Sequence, residues 1–334
     1  MSEAGPAEVV TLGECLVALV ASSPGPLGEA AGFERHIAGA EANVAVGLAR
    51  LGHRVAYIGR VGADGFGTAI VRKLRGEGVG VEQLTIDGDA ATGMMIRERR
   101  LLGPAQVLYY RTGSAGSRLG PEDVEAAALS NARWLHVTGI TPALSASAKA
   151  AVDRAIELAR AAGMTISLDL NLRRRLWSEA EAAPVFRALA ALADVVMGDA
   201  DEAAVALGAA GVVGAVAAAA TEPEALARKL VALGASTAVI KLGAEGAVAA
   251  TRDGAVVRSP ALPVAQVLDP VGAGDAFAAG FIAATLEGCG LEAALRMANA
   301  CGAAAVSAVG DMAGLPDRAE LERLLAATAG DTLR

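Results

Sequence analysis

The chain contains the stretch D-P-V-G-A-G-D-A-F-A-A-G-F, which runs from Asp269 to Phe281. Pro270 ends the element before it, and the two glycines allow backbone N–H groups to approach a ligand closely. The apolar residues after Asp275 predict a helix, whose N-terminus carries unpaired N–H groups and the positive end of a dipole. The stretch therefore predicts an anion site at residues 272–274, with Asp275 in the first turn of the helix.

Two interpretations of this stretch stay open on these residues alone. In the first, the helix start stabilises the charge of a transferring phosphoryl group, and Asp275 accepts the proton of an attacking hydroxyl group. In the second, the stretch is an ordinary turn that begins a helix. The residues match neither the P-loop pattern nor the protein-kinase loops, and no G-x-G-x-x-G lies near the first predicted strand. Those nucleotide-binding classes are therefore disfavoured.

Composition and charge exclude several classes of protein. The 334 residues carry a net charge of −8, which argues against a nucleic-acid-binding protein. The three cysteines are isolated, so the sequence predicts neither a disulfide framework nor a zinc site. The first nine residues lack the features of a signal peptide, and the apolar stretch Ala209–Ala220 is too short to span a membrane. We expect a cytoplasmic protein with no membrane or nucleic-acid partner.

Strand and helix patterns alternate along most of the chain. This alternation predicts an α/β fold with a mainly parallel sheet and helices on both faces. Two patterns, at 94–100 and 106–111, are separated only by a Gly-Pro turn and predict a hairpin that projects as a lid. The other predicted strands lie at 9–20 (broken at 13–14), 54–59, 134–137, 165–170, 195–197 and 238–241, with edge strands at 247–250 and 255–258. The predicted helices include 41–51, 65–75, 145–162, 273–287, 291–308 and 319–327.

A second segment of the sequence, together with the 269–281 stretch, forms a recognisable pair of motifs. It contains A-G-A-E-A-N-V-A from Ala38 to Ala45, and G-R-V-G-A-D-G-F-G follows at 59–67. The two segments resemble, in the expected order, the signature regions of the ribokinase/PfkB family of carbohydrate kinases. The resemblance covers nearly the whole chain. It implies one ribokinase-like domain over 1–334, a doubly wound sheet with lid strands near 12–37 and 92–112, and a nucleotide-binding part at about 195–310.

The resemblance also implies ATP and Mg²⁺ as cofactors and phosphorylation of a sugar hydroxyl group. Asp275 matches the catalytic base of the family, and its anion hole is matched by Gly272, Ala273 and Gly274. The residues that match ATP-binding positions are Asn171, Lys241, Gly243, Gly246, Gly272, Gly274 and Asn299. These matches favour the first interpretation of the glycine loop.

Two further sites concern metal ions. The family carries an N-x-x-E element that orients Mg²⁺ through water, and this chain has Asp199 in place of the Asn, with Glu202 at the Glu position. A monovalent cation such as K⁺ is the other ion that some relatives use. Asp269 either helps to hold that cation or shapes the turn, and the second role is favoured.

Several strings resemble most closely the 2-keto-3-deoxygluconate kinases of this family. Two of them are Y-Y-R-T-G-S-A-G-S-R-L from Tyr109 and S-L-D-L-N-L-R-R-R-L-W from Ser167. A sugar acid needs a cation for its carboxylate, and arginine binds carboxylates through two parallel hydrogen bonds. Arg111 at the end of the lid hairpin and Arg173 at the end of a strand are the candidates. The expected substrate-binding residues are Glu14, Gly39, Ala40, Asn43, Tyr109, Arg111, Arg173 and Asp275.

The expected reaction is the ATP-dependent conversion of 2-keto-3-deoxygluconate to its 6-phosphate. The alternatives are a kinase for fructose, ribose or a nucleoside, and a non-catalytic sensor on the same fold. Arg111 has a second interpretation as a solvated loop cation, and Glu14 either contacts a sugar hydroxyl group or caps its loop. Met95 replaces a tyrosine of the relatives, and the sequence does not distinguish gluconate-derived from galactonate-derived acids. Exposed lid strands predict a homodimer.

Overall fold

The computed structural model describes residues 6–100, 103, 105–208 and 222–328. The expectations for residues 1–5, for the apolar stretch Ala209–Ala220 and for most of the Gly-Pro turn of the lid hairpin lie outside these residues. Within the described ranges, none of the helices combines the length and apolar character that a membrane crossing needs.

The described residues form thirteen strands and ten α-helices. The strands are β1 (Val9–Leu12), β2 (Leu16–Pro24), β3 (Phe33–Ala38), β4 (Val55–Gly62), β5 (Leu84–Asp87), β6 (Met94–Arg99), β7 (Val107–Tyr110), β8 (Trp134–Thr138), β9 (Thr165–Asp169), β10 (Val195–Gly198), β11 (Thr237–Lys241), β12 (Ala247–Thr251) and β13 (Val256–Ser259). The helices are α1 (Ala40–Arg50), α2 (Gly65–Gly76), α3 (Ala126–Leu129), α4 (Ala146–Ala161), α5 (Glu179–Leu192), α6 (Ala200–Ala206), α7 (Pro223–Leu233), α8 (Ala273–Leu286), α9 (Leu291–Ala305) and α10 (Arg318–Thr328).

Nine of these strands form one sheet in the order β13-β12-β11-β10-β9-β8-β1-β4-β5. The pairs from β11 through β5 are parallel, and β12 and β13 add an antiparallel edge. The predicted mainly parallel sheet is therefore confirmed. The chain fills the sheet outward from β1 in both directions, so the switch point lies between β1 and β8. Open α/β sheets bind ligands outside the carboxyl ends of the strands at such a point.

The other four strands form a separate sheet in the order β3-β2-β6-β7, which we call the lid sheet. The predicted hairpin is present as the antiparallel pair β6–β7. Leu16, Ala18, Ala38 and Met95 form a small buried cluster within the lid sheet. The segment 9–20, predicted as one broken strand, is two strands in two different sheets.

Two apolar cores cover the two faces of the main sheet. Successive strand residues point to opposite faces, so Val9 packs into the core with α1, α2, α8, α9 and α10, whereas Val10 packs with α3 to α7. Helix α8 is buried on all sides from Asp275 to Ala284, as expected for a helix that is apolar all round. Its N-terminus lies close to the carboxyl end of β9, since Asn171 just beyond that strand donates a hydrogen bond to Asp275.

An unpredicted strand and an early helix end are further differences from the predictions. The short strand β5 was not predicted, and its burial does not follow the alternation expected of a half-buried strand: Leu84 is buried, whereas Ile86, two residues further on, is exposed. The helix predicted for 291–308 ends at Ala305, where Ser307 N donates to the Ala304 oxygen in a tight turn.

Candidate active site

The N-terminus of α8 is formed by the glycine loop that the sequence predicts to bind an anion. Gly272 precedes the helix, and its backbone is left-handed, with a φ of 81°. A side chain there would bring a Cβ atom within 2.6 Å of the Asp311 backbone oxygen. The loop therefore lies directly against the 310–311 turn and requires glycine at this position. Asp275 lies in the first helical turn, as predicted.

The Asp275 carboxylate is buried, and each of its oxygens accepts a hydrogen bond from an asparagine. Asn43 Nδ2, in the first half of α1, donates to Oδ2 at 2.7 Å. Asn171 Nδ2, just beyond β9, donates to Oδ1 at 3.4 Å. The sequence predicts these three residues as base, substrate ligand and ATP ligand, and the structure brings them together.

The surroundings of Asp275 raise its pKa from 3.8 to about 7. Burial is the largest cause, because a buried carboxylate loses its hydration. The Asn43 hydrogen bond opposes the rise, the charge of Asp169 adds to it, and the cations Arg173 and Lys241 lower the pKa. A carboxyl group with a pKa near 7 can accept a proton from a substrate at neutral pH.

Lys241 lies at the end of β11 and is paired with Asp169 at the end of β9. Its Nζ donates to both carboxylate oxygens at 2.8 Å. Burial is the largest single effect and favours the neutral amine, but the charges of Asp169, Glu202 and Asp275 and the hydrogen bond to Asp169 together hold the pKa of Lys241 above its usual value. A Cβ atom added at Gly274 would lie 3.3 Å from this Nζ, so the ammonium group stands beside the glycine loop.

Asp199 and Glu202 form a capping box at the start of α6. Asp199 Oδ1 accepts from Glu202 N at 2.8 Å, and Glu202 Oε2 accepts from Asp199 N at 2.9 Å. The replacement of Asn by Asp at 199 therefore preserves the cap, since both residues are good caps. Glu202 Oε1 also accepts from Leu172 N at 2.8 Å, which fixes the turn next to Asn171. Burial raises the pKa of Glu202.

Glu14 and Arg111 form a buried ion pair between the end of β1 and the segment after β7. Ser114 Oγ donates to Glu14 Oε1 at 3.0 Å, and the Arg111 guanidinium lies 5.3 Å from the centre of the Tyr109 ring. Arg111 is only 9% exposed, so its interpretation as a solvated loop cation is wrong. Its Nε has no hydrogen-bond partner among the described residues.

Arg173 follows β9 and differs from Arg111 in its partners. Within the part of the chain that the structure describes, the only hydrogen bond of its side chain is a 3.5 Å contact to the Leu172 oxygen. Its charge reaches Asp275. The neighbouring Arg174 is half-exposed and pairs with Glu179 at 2.8 Å.

The remaining predicted substrate residues lie close to these groups. Gly39 precedes α1 with a φ of 148°, and a Cβ atom there would lie 2.3 Å from the Glu14 backbone oxygen. Ala40 is the first residue of α1 and is buried. Met95 is buried in the lid sheet and is paired with Tyr109 across the hairpin. Position 95, where the family resemblance implies a tyrosine, therefore offers no hydroxyl group here.

The predicted ATP residues beyond the base form a second group. Gly243 and Gly246 flank the short turn between β11 and β12, and a Cβ atom at Gly246 would lie 2.1 Å from the Ser259 oxygen. Asn299 Nδ2 donates to the Ser259 and Pro260 oxygens at 3.1 Å. A cavity of about 230 Å³ lies beside the segment that Asn299 contacts and is lined by Arg258, Ser259, Pro260, Ala261, Leu262, Pro263, Glu292, Arg296 and Leu325.

Glu41 is a site residue whose environment the sequence did not indicate. It lies in the first turn of α1, where a negative charge suits the helix dipole, and its side chain is buried. Its Oε1 accepts from Thr138 Oγ1 at 2.7 Å and from Thr141 Oγ1 at 2.6 Å. The side chain thus ties α1 to the end of β8, and burial raises its pKa.

Of the two roles expected for Asp269, the turn-shaping role fits the structure. Its Oδ1 accepts from Val271 N at 3.2 Å and its Oδ2 from Gly310 N at 3.0 Å. Both oxygens also accept from the Arg97 guanidinium. Among the described residues, no group of three or more His, Cys, Asp or Glu side chains could hold a metal ion.

Comparisons with known proteins agree with this arrangement. The model of the pfkB family carbohydrate kinase matches residues 6–318. A 2-dehydro-3-deoxygluconokinase of Thermoproteus tenax is 42% identical over 323 residues, which cover 96% of this chain and 94% of the relative. A protein of the same name from Bacillus subtilis strain 168 is 39% identical over 324 residues, which cover 96% of each chain.

Solved structures of similar proteins have the same architecture. The PfkB protein from Polaromonas sp. JS666 is similar with a TM-score of 0.83 and 38% identity, over 95% of this chain and 99% of that chain. An E. coli protein described as a candidate ribokinase II, in complex with ATP and Mg²⁺, is similar with a TM-score of 0.86 and 27% identity, over 96% of this chain and 99% of that chain. The ribokinase-like fold that the sequence predicts is therefore confirmed.

Proposed function

Because the chain belongs to the pfkB family of carbohydrate kinases, we propose that it transfers the γ-phosphoryl group of ATP to a hydroxyl group of a sugar acid. The proposed acceptor is 2-dehydro-3-deoxygluconate, also called 2-keto-3-deoxygluconate, and the product is its 6-phosphate. Relatives at 42% and 39% identity carry the name of that kinase. The observation that carries the proposal is the buried Asp275 carboxylate at the start of α8, with a pKa of about 7.

In this proposal Asp275 is the general base. It takes the proton of the terminal hydroxyl group, and the oxygen then attacks the γ-phosphorus in line with the leaving group. Asn43 and Asn171 orient the carboxylate because each donates a hydrogen bond to one of its oxygens. A rigidly held base needs little rearrangement before the reaction.

The backbone of Gly272, Ala273 and Gly274 is the proposed anion hole. Its N–H groups stand at the start of α8, where the helix dipole also favours negative charge. Lys241 beside Gly274 adds a cation near the phosphoryl group. When bound, Mg²⁺ supplies charge neutralisation at the phosphate groups. Magnesium usually keeps several waters and takes few protein ligands, so Glu202 fits a role in holding it through water.

The base of the nucleotide is proposed to lie against the segment 259–263 at the end of β13. Asn299 holds this segment through Ser259 and Pro260. Gly243 and Gly246 let the nucleotide pass close to the backbone after β11. The 195–310 part of the chain would then bind ATP, and the lid sheet would close over the sugar acid.

Two arginines are proposed to bind the substrate carboxylate. Arg173 makes no ion pair within the described residues, and Arg111 keeps an unpartnered Nε. Each guanidinium can therefore donate to a carboxylate. Tyr109 and Glu14 would line the same side of the substrate, with Gly39 and Ala40 beneath it.

One observation favours a second candidate function. Glu14 already compensates the charge of Arg111, and a compensated pair suits the hydroxyl groups of a neutral sugar as well as it suits a carboxylate. The second candidate is therefore a kinase for a neutral sugar, with the same base and the same anion hole.

An ADP-release panel distinguishes the two candidates. It compares 2-dehydro-3-deoxygluconate, its galactonate-derived epimer, fructose, ribose and adenosine at equal concentrations. We expect the highest kcat/KM for one of the two acids. Arg173→Ala should raise KM for that acid by roughly 10-fold or more, because the lost pair is charge-assisted. Preference for a neutral sugar, together with an unchanged KM in Arg173→Ala, would reject the acid. Release of no ADP with any substrate would favour the sensor.

A homodimer in the cytoplasm completes the proposal. Phe33 on edge strand β3 and Tyr110 on edge strand β7 are large exposed side chains of the lid sheet, and unpaired sheet edges favour association. Light scattering over a range of protein concentrations should give twice the chain mass. Replacement of both Phe33 and Tyr110 by a charged residue should reduce the measured mass to that of one chain.

A further inference from the structure

A buried ion pair joins the lid sheet to the glycine loop. Arg97 on β6 donates through Nη1 to Asp269 Oδ1 at 2.8 Å, and through Nη2 to Oδ2. The two residues are 172 positions apart in the chain, and both are less than 10% exposed. Two parallel bonds of this kind fix the relative orientation of the groups as well as their distance. This side-chain pair thus connects the lid sheet directly to the glycine loop.

Asp269 is the first residue of the loop and determines its course. Besides Arg97, its carboxylate accepts hydrogen bonds from Val271 N and Gly310 N. Gly272, three residues further along the loop, contacts the same 310–311 turn, because it packs against the Asp311 backbone. Because Gly272 precedes α8, a shift of Asp269 moves the N–H groups that form the anion hole. The carboxylate therefore connects the lid to the helix start by an unbroken series of bonds.

The charges at this place depend on the same arginine. Asp269 and Asp311 are both buried. Burial raises the pKa of Asp311 to about 6, and the nearby charge of Arg97 opposes that rise. Without Arg97, the repulsion between the buried carboxylates of Asp269 and Asp311 would lose the cation that opposes it, close to a loop proposed to attract an anion. Loss of one partner from a buried ion pair leaves an uncompensated charge, which is strongly unfavourable.

We propose that Arg97 is a positioning residue for phosphoryl transfer: through its ion pair with Asp269, the lid sheet holds the glycine loop in the conformation that receives the transferring group. Arg97 acts on the loop and not on the substrate. The inference rests on the proposed kinase reaction for its kinetic part. It adds a second task to the lid sheet, which then organises the phosphoryl site in addition to covering the sugar.

The kinetic test compares Arg97→Ala with Arg99→Ala. Arg99 lies two residues further along β6, is half-exposed and pairs with the exposed Glu34 at 3.5 Å, so its variant is a matched control. We expect kcat of Arg97→Ala to fall by roughly 10- to 100-fold, because a displaced anion hole loses contacts made only in the transition state. KM for the sugar substrate should change by less than about threefold. Arg99→Ala should keep the kcat of the unmodified protein.

Chemical rescue separates positioning from general destabilisation. Guanidinium chloride at low millimolar concentration should restore part of the kcat of Arg97→Ala and leave Arg99→Ala unchanged. Asp269→Asn should lose kcat to a similar extent. The double variant Arg97→Ala/Asp269→Asn should be no slower than Arg97→Ala alone, since the two residues act as one unit. Arg97→Lys keeps the positive charge but cannot donate two parallel hydrogen bonds, so its kcat should lie between that of Arg97→Ala and that of the unmodified protein.

Hydrogen exchange of the loop amides provides a readout that needs no turnover. In Arg97→Ala the amides of residues 271–276 should exchange at least several-fold faster than in the unmodified protein, and in Arg99→Ala they should not. Where Arg97→Ala does not fold, Arg97→Lys and Asp269→Asn replace it in both measurements.

Three outcomes would overturn the inference. The first is that kcat and the amide hydrogen exchange of residues 271–276 are unchanged in the Arg97 variants, and the second is that only KM rises. The third is that the loss of kcat is fully explained by the fraction of variant protein that is unfolded. An unmodified protein that phosphorylates nothing would reject the proposed function instead, and the exchange measurement would still decide the role of Arg97.

Discussion

The carboxylate of Asp275 makes the activity depend on pH. Its pKa is raised to about 7, mainly by burial, and a general base must be ionised to accept a proton. We therefore expect kcat/KM to rise as pH increases through about 7 and to level off above pH 8. Initial rates between pH 5 and pH 9 check this. A profile that is flat down to pH 5 would contradict a base with a raised pKa.

The same raised pKa lowers stability at alkaline pH. A carboxyl group whose pKa is higher in the folded state binds an extra proton there, so its contribution to stability is complete below the unfolded pKa and is lost as pH rises through about 7. Asparagine does not titrate. At pH 8, Asp275→Asn should therefore raise the free energy of unfolding by about 1–3 kcal/mol while it lowers turnover by roughly 10²-fold or more.

Urea unfolding of both proteins at pH 5 and pH 8 measures this effect. The difference between them should be small at pH 5 and larger at pH 8. A variant that is less stable than the unmodified protein at pH 8 would show that the Asn43 hydrogen bond outweighs the cost of burying the charge.

At the level of single residues, the sequence allowed prediction of those site residues that belong to one short motif. Asp275 and the glycine loop were found because one short stretch combines turn residues, glycines and a helix start. Glu41, Asp169 and Arg97 were not recognised. Their hydrogen-bond partners Thr138, Lys241 and Asp269 are 97, 72 and 172 residues away in the chain. A local sequence pattern therefore cannot show that these buried charged groups have partners. Such pairs become visible only when the sheet brings distant strand ends together.

The start of helix α8 depends on a glycine that the turn requires. Gly272 has a φ of 81°, and a Cβ atom would lie 2.6 Å from the Asp311 oxygen. Gly272→Ala should therefore lower the free energy of unfolding by about 1–3 kcal/mol and reduce turnover, because the loop must shift. Gly288, after the other end of α8, also has a positive φ, but a Cβ atom there meets nothing within 4 Å. Gly288→Ala is the matched control.

Both alanine variants are compared by thermal unfolding and by kcat. The control should lose stability to a smaller extent, about 1 kcal/mol, and should keep its turnover. Equal turnover in the two variants would show that the anion hole does not depend on the backbone conformation at 272.

At the level of elements, periodicity identified most helices and strands but not which strands share a sheet. Segment 9–20 had the apolar character of one strand, but β1 pairs with β4 and β8 in the main sheet, whereas β2 pairs with β3 and β6 in the lid sheet. The parallel pairing of β2 with β6 joins segments far apart in the chain. The residues of one strand do not show which distant strand it will pair with, since this pairing depends on how all four strands of the lid sheet assemble.

At the level of the whole molecule, strand–helix alternation correctly predicted one mainly parallel sheet. The order of the nine strands was not predicted, because alternation leaves the direction of each crossover open. The two cores extend over the two faces of that one sheet and involve helices from both ends of the chain. This continuity supports the proposal that residues 1–334 form a single domain that unfolds as one unit.

That proposal predicts a common unfolding transition for the two faces. Leu74 on α2 and Phe186 on α5 are fully buried on opposite faces of the sheet. Leu74→Ala should lower the free energy of unfolding by about 2–5 kcal/mol, and Phe186→Ala by about 3–5 kcal/mol, because each leaves a cavity. If the faces belong to one cooperative unit, each variant should shift the whole transition, seen equally by circular dichroism and by tryptophan fluorescence. Trp177, which packs edge to face on Phe186 with ring centres 5.5 Å apart, should then respond to Leu74→Ala as strongly as the backbone signal does. Two separate transitions, of which each variant moves only one, would divide the chain into two domains along the sheet.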